Sequence, residues 1–492
     1  MSYQKLEQHQ QQLHRLSHLS AICGWDQAAM MPEGGNEARA EAMAELGVLI
    51  HGKRTAPELG DWIAKAESEP LDAIQRANLA EIKRHWQDAS LLPSELVEAL
   101  SLAGSKCEHA WRRQRKENDW AGFAPNLEEV VRLSREVARL RAEALGVRPY
   151  DAMLALYEPG MKSERLDQIF GDLTSWLPGL IQTVSEQQKR DTILIPQGPF
   201  PIATQQALGQ EVMGLLGFDF AHGRLDVSSH PFCGGVPTDV RITTRYNEDE
   251  FVSSLMGIVH ETGHARYEQG LPRHLLGQPV AEARSMGIHE SQSLFCEMQL
   301  GHAPAFLSQI APRIRAHFGE QAALAPANLE KLYNRVEPGF IRVDADEVTY
   351  PAHVILRYEL ERDLIEGRIE VADIPALWDA KMQQWLGLST KGNYQNGCMQ
   401  DIHWTDGSFG YFPSYTLGAM YAAQLRFALE RELGDMGQLI EAGRLPEIFG
   451  WLGRHIWSQG SLHGTDELIR RATGEALNPQ WLRKHLEQRY LK

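Results

Sequence analysis

Apolar residues recur three and four positions apart over much of the chain, the spacing that puts them on one face of a helix. The pattern first appears at 36–50 (NEARAEAMAELGVLI). It returns at 72–88, 126–147, 204–217, 311–324, 352–366 and 465–490. These stretches predict amphipathic helices whose Leu and Trp side chains build a core. Alternation with a period of two is scarce. Its best example is DVRITTRY at 239–246, where β-branched residues are interspersed with arginine, and this segment predicts a strand. The Gly/Pro-rich FCGGVPT before it, at 232–238, predicts a loop leading into that strand. No repeat period, low-complexity tract or linker is visible. The expectation is a mainly α fold in one domain over 1–492, with a small β-sheet.

One helical segment carries chemistry. In EDEFVSSLMGIVHETGHARYEQGLP, 248–272, Phe251, Leu255, Ile258 and Val259 mark an apolar face. Asn247 and Glu250 suggest an N-terminal cap, and Gly270 with Pro272 suggests the end. His260 and His264 are therefore four apart on one helical face and can reach a single metal ion. Glu261 is rotated off that pair and can reach a metal-bound water instead. The HExxHxxGxxH continuation of another zinc class is absent, because Tyr267 and Gly270 occupy its positions. The third ligand must come from elsewhere, and Glu290, 26 residues past His264, is the leading candidate. It opens HESQSLFCEMQL, 289–300, which reads as a second helix with Leu294 and Met298 facing a core. A His2Glu set leaves one coordination position for water, as catalytic rather than structural zinc requires. His289 reads as a packing or supporting residue, not a ligand.

That site chemistry calls for further groups. Glu261 would act as general base and then acid, and a donor would stabilise the tetrahedral oxyanion. Tyr411 and Tyr415, in the Gly/Ser/aromatic loop DGSFGYFPSYTLG at 406–418, are candidates for that donor, as loop aromatics able to move over a substrate. The HExxH motif does not separate endo- from exopeptidases. A carboxypeptidase must also hold a free C-terminal carboxylate, which Arg does best. Arg342 in IRVDAD (341–346) and Arg241 and Arg245 in DVRITTRY are candidates.

Composition narrows the setting. Against 49 Lys and Arg stand 65 Asp and Glu, a net charge of −16. Nonspecific nucleic-acid binding, which depends on clustered basic charge, is not expected. No apolar run approaches the roughly 20 residues of a membrane helix. The five cysteines are scattered and form no CxxC pair, which predicts free thiols and a cytoplasmic protein.

Taken together, the motifs resemble those of the carboxypeptidase Taq family of metallocarboxypeptidases. The matches run in the family's order: HPF (230–232), DVRIT (239–243), HETGH (260–264), HESQ (289–292), IRVDAD (341–346) and GCMQDIHW (397–404). GWDQAAMMPEGG (24–35) and YEPGM (157–161) also look like that family. The resemblance implies a helical fold similar to angiotensin-converting enzyme and neurolysin, with a deep groove between two lobes. The N-terminal lobe would cover roughly 1–200, and the catalytic motifs would fall within 230–418. His260, His264 and Glu290 would be the metal ligands and Glu261 the catalytic acid/base. The resemblance also implies release of C-terminal residues with broad preference, usually disfavouring Pro. It implies one Zn2+ per chain, with Co2+ also able to serve, and a homodimer acting on peptides. The family places Arg342, Gln400, His403 and the two tyrosines around the groove. Arg342, Arg241 and Gln400 are expected on substrate, and Tyr411, Tyr415 and His403 in catalysis.

Overall fold

The computed structural model describes residues 1–491. Most predicted helices are present. Asn36–Arg54, Ala73–Ser90, Ile202–Leu215 and Tyr350–Ile365 match the periodic segments to within a few residues, whereas Trp120–Leu145 starts well before the expected 126, and Pro304–Phe318 both starts and ends earlier than the expected 311–324. Local signals explain several of their ends. The Asp72 side chain accepts from Gln75 N–H in a capping box, and Asp119 accepts from Gly122 N–H. The left-handed Gly146 closes the helix that begins at Trp120. The segment 465–490 is two helices, Thr465–Thr473 and Gln480–Tyr490. Gly474 at φ 89° stops the first, and the second opens after Pro479. Both pack on the same helix, Pro413–Leu433, so the apolar spacing runs on through the break.

The sheet is larger than the sequence pattern predicts. It has three strands: β1 (Gly223–Val227), β2 (Phe232–Val236) and β3 (Asp239–Thr244), in the order β1-β3-β2. β1 runs parallel to β3, while β2 pairs antiparallel with Cys233 opposite Ile242. The segment expected to be a loop is thus an edge strand. Gly234 and Gly235 offer no side chains to reveal the alternation, and their pairing is carried by the backbone. Gly235 is required at φ 87°, because a Cβ there would stand 2.1 Å from the Asp239 carbonyl oxygen. Val240 and Ile242 are buried against Ile258 and Ala265 of the motif helix, which packs against this sheet.

That helix spans Val252–Gly270. Asn247 does not cap it. Glu250 Oε2 accepts instead from Ser253 N–H at 3.0 Å. The next helix, Met286–Leu294, is capped by Ser285 and continues as a π-helix over Phe295–Gly301. It lies between the motif helix and Pro413–Leu433. Two glycines allow that approach. A Cβ at Gly263 would meet the Gln292 carbonyl oxygen at 2.3 Å, and one at Gly418 would meet Glu290 Cβ at 2.7 Å. The three backbones therefore converge where the metal-ligand candidates sit.

The C-terminal helix is tied to this region by a buried charge network. Glu347 follows the IRVDAD segment. It accepts from His485 Nε2 at 2.5 Å, Tyr490 Oη at 2.9 Å and Arg489 Nη1 at 3.0 Å. Its carboxyl is held well below the usual range, since His485 and Arg489 outweigh the cost of burial. Removing one partner of a buried charged cluster leaves the others unpaired and typically costs about 3–5 kcal/mol. Glu347→Ala is expected to lower stability by about that amount, read from urea or thermal unfolding.

Candidate active site

One turn separates His260 from His264, and both Nε2 atoms face Glu290. Glu290 Oε2 lies 3.3 Å from His264 Nε2, and Oε1 lies 4.0 Å from His260 Nε2. One donor atom from each of the three residues falls within 4.8 Å of the others. Ligands held at about 2.0–2.2 Å around a tetrahedral ion sit roughly 3.3 Å apart, so the spacing suits a single ion after small adjustments. The side chains are 21, 14 and 12% exposed for His260, His264 and Glu290, which leaves a route for solvent. Among the described residues this is the only group of three or more such side chains able to hold a metal.

The other ring nitrogens are also engaged. His260 Nδ1–H donates to Glu297 Oε2 at 2.7 Å. His264 Nδ1–H donates to His289 Nδ1 at 2.6 Å, and His289 Nε2–H donates to Glu268 Oε1 at 2.7 Å. These bonds keep a proton on Nδ1 of both ligand rings, so that with a metal bound each Nε2 would be the ligating atom. His289 is thus a supporting residue, as its sequence position suggests. Glu297 and Glu268 escape the sequence reading. Glu268 is four residues past His264 and shares its helical face, so a signal existed. Glu297 is seven past Glu290, a spacing that keeps one α-helical face, so a signal existed there too.

The electrostatics also suit a cation. Burial works against a charged His260, yet Glu297 and Glu290 outweigh it and raise the ring to about 10. Burial and the neighbouring His289 lower His264 to about 4 despite Glu290. Burial, reinforced by Glu290 and Glu297, pushes Glu261 up to about 7 against the pull of His260. Three carboxyls crowd two imidazoles, and a divalent ion at their convergence would relieve the repulsion.

A second cluster lies beside the first. Arg342 is buried. Its Nε and Nη2 lie 3.0 and 2.9 Å from Asp401 Oδ1, and Nη1 donates to Tyr350 Oη at 2.8 Å. Its guanidinium lies 4.8 Å from the Tyr415 ring centroid. Arg357, fully buried, donates to the other oxygen of Asp401 at 2.6 Å. Two guanidiniums on one carboxylate leave a positive charge over. Tyr350 and Tyr415 touch Arg342, Tyr411 packs on Tyr415, and the Glu290 charge acts on all three, so these rings are near both clusters. Tyr415 Oη lies 3.1 Å from His403 Nε2. Burial, helped by Arg342 and Arg357, lowers His403 to about 4 despite Asp401, so its ring is neutral.

Some expected positions differ. Tyr415 is not in a loop but in the first turn of the helix Pro413–Leu433. Tyr411 precedes that helix, and its ring packs edge-on to Tyr157 at 5.0 Å and to Tyr415 at 5.3 Å. Both rings are held in an aromatic cluster. The Gln400 amide is taken up by backbone. Its oxygen accepts from Arg342 N–H at 2.8 Å, and its nitrogen donates to the Phe340 and Asn396 carbonyls. Arg241 forks onto Asp239 at 2.9 and 2.7 Å and lies 4.2 Å above the Trp25 ring. Arg245 is exposed.

Comparison with known proteins agrees with this geometry. The family model for carboxypeptidase Taq (M32) metallopeptidases matches residues 5–490. The chain belongs to the carboxypeptidase Taq (M32) family. Thermostable carboxypeptidase 1 of Thermus thermophilus is 39% identical, across 99% of this chain and 98% of its own. Carboxypeptidase 1 of Bacillus subtilis is 35% identical, across 97% and 96%. The structure of Trypanosoma cruzi metallocarboxypeptidase 1 superposes with a TM-score of 0.98 at 49% identity, covering 100% of this chain and 99% of that one. The protein is therefore a metallocarboxypeptidase with the mainly helical fold of that family, similar to angiotensin-converting enzyme and neurolysin. A peptide hydrolase of this family uses a metal ion, and the His2Glu set is the group here that fits one. Among the described residues no helix is long and apolar enough to cross a membrane.

Partners that orient metal ligands typically contribute about 10- to 100-fold in metal affinity. Glu297→Gln is expected to weaken divalent-metal binding by about that factor, measured by competition with a chromophoric chelator.

Proposed function

We propose that this metallocarboxypeptidase holds one zinc ion per chain, with cobalt able to replace it, on His260, His264 and Glu290. In this reading it removes C-terminal residues from peptides with broad side-chain tolerance. One observation carries the reading: the His2Glu cluster and the positively charged Arg342–Asp401–Arg357 cluster share the same tyrosines. A peptide whose terminal carboxylate lies at the second cluster would have its last amide bond near the first.

When bound, zinc supplies Lewis acidity and brings the pKa of a water from 15.7 toward about 7. Glu261, whose carboxyl is raised by burial, takes the proton of the attacking water in its ionised form and returns it to the leaving amine. Tyr415 and Tyr411 are hydroxyl donors within reach of the Glu290 charge, and we assign them the developing oxyanion. Neutral His403 orients the Tyr415 hydroxyl. Arg342 binds the substrate carboxylate. Gln400 and Arg241 act on substrate only indirectly, the first through the Arg342 backbone and the second through Trp25 and the sheet. Five free cysteines support a reducing, cytoplasmic setting. The homodimer usual in the family is part of the proposal, which includes no nucleic-acid or membrane partner.

Glu261→Gln is expected to keep its metal content and lose about 10²- to 10⁴-fold in kcat, as removal of a general base does. Wild-type turnover in that variant would refute the mechanism. Timed mass spectrometry of one N-terminally blocked peptide is expected to show a ladder shortening from the C-terminus, and the C-terminally amidated form should resist. Arg342→Ala should raise KM for the free-acid peptide. Equal cleavage of both forms would instead indicate an endopeptidase.

A further inference from the structure

The YEPGM segment, 157–161, belongs to neither cluster, yet it touches the helix that carries Glu290 and the helix that carries Tyr415. Glu158 is 1% exposed. Its Oε1 accepts from the Gly287 backbone N–H and from Ser414 Oγ, the latter at 2.8 Å. Gly287 is in the first turn of the helix that carries Glu290, and Ser414 is in the first turn of the helix that carries Tyr415. Tyr157 makes a parallel link. Its carbonyl accepts from Met286 N–H at 3.0 Å, and its ring packs on Tyr411. The fit is close, because a Cβ at Gly287 would lie 2.8 Å from Glu158 Oε1.

Capping alone does not explain a buried acid here. Ser285 already caps the Met286–Leu294 helix by accepting from Ile288 N–H. Burying a carboxyl is costly, and burial is the main reason Glu158 is raised to about 7. Arg284 is the charged group facing it, and Tyr421 faces it from the Pro413–Leu433 helix. What Glu158 adds beyond Ser285 is the bridge between two helix starts, where free N–H groups and the helix dipoles favour an acceptor. Glu290 is one turn beyond Gly287, and Tyr415 is next to Ser414. An ångström of drift between reacting groups can cost about 10²-fold in rate.

We propose that Glu158 is a positioning residue that fixes the metal ligand Glu290 relative to Tyr411 and Tyr415. Its tyrosine half rests on the function proposed above. Its metal half rests only on the His260–His264–Glu290 cluster.

The test compares Glu158→Ala, Glu158→Gln and Ser414→Ala in the full chain. Three quantities are read: Zn2+ dissociation constant by chelator competition, kcat and KM on a free-acid peptide, and Tm. Glu158→Ala is expected to weaken Zn2+ binding about tenfold, as loss of outer support does, and to lower kcat with KM little changed. Glu158→Gln keeps an oxygen at the Oε1 position and should recover most of both losses. Ser414→Ala should keep Zn2+ affinity and lower kcat, since it cuts only the link to the tyrosine helix. Wild-type Zn2+ affinity in a folded Glu158→Ala variant would overturn the proposal, leaving Glu158 a stabiliser of the fold. If Glu158→Ala does not fold, Ser414→Ala decides, and an unchanged kcat there would overturn the proposal. Zn2+ affinity is read without turnover. A wild-type protein that binds Zn2+ but does not shorten peptides from the C-terminus would count against the proposed function, not against the metal half of this assignment.

Discussion

The arrangement depends on how much negative charge the fold gathers around two mostly buried imidazoles. Glu261, Glu290 and Glu297 approach His260 and His264, and Glu268 stands behind His289. Carboxylates removed from water are costly unless paired. The imidazoles respond unevenly: His260 is raised and His264 lowered, although they sit one turn apart on the same helix. The difference follows from their partners, since a carboxylate backs one ring and another imidazole backs the other. A cation where the Nε2 atoms and Glu290 meet answers the whole group at once. It would satisfy the lone pairs, balance the acids and leave Glu261 beside the ion instead of on it.

Holding that point requires backbones closer than ordinary side chains permit. Gly263 sits against the Gln292–Ser293 backbone, and Gly418 sits against Glu290. The first is a glycine of the HETGH motif, so the motif encodes packing as well as ligands. The second lies in the helix that begins beside the tyrosines. The same convergence brings Glu297, in the π-helical stretch, onto His260. Farther out, Glu347 joins the segment after Arg342 to the C-terminal helix, linking the Arg342 cluster to the end of the chain.

Much of this was readable from sequence because its determinants are local. Helical periodicity, the four-residue His spacing and a carboxylate at the start of the following helix depend on near neighbours along the chain. The strands β1 and β2 were not readable, because their pairing is a backbone property and β2 contains two adjacent glycines. The Arg342 motif was visible, but its partners were not. Asp401 and Arg357 come from segments 59 and 15 residues away in sequence and meet Arg342 only in the folded core. Gln400 shows the limit from the other side. A polar residue in a conspicuous motif suggests substrate, yet its amide is used to fix a loop. Asn247 fails for a local reason, since Glu250 is better placed for the exposed N–H of Ser253.

At first sight the pairing of Arg342 with Asp401 argues against an anchor, since a satisfied ion pair has little reason to bind anything else. The charge count argues the opposite. Arg342 and Arg357 share one carboxylate in a setting where water is largely excluded. Asp401 reduces the cost of burying them and fixes the Arg342 plane, but it does not neutralise both. A second carboxylate completes the balance, two cations against two anions. A peptide entering with an internal residue at that point brings no such charge and leaves the excess cation uncompensated. With Arg342 as the proposed anchor, a preference for a free C-terminus would come as much from the penalty on other substrates as from attraction to the right one.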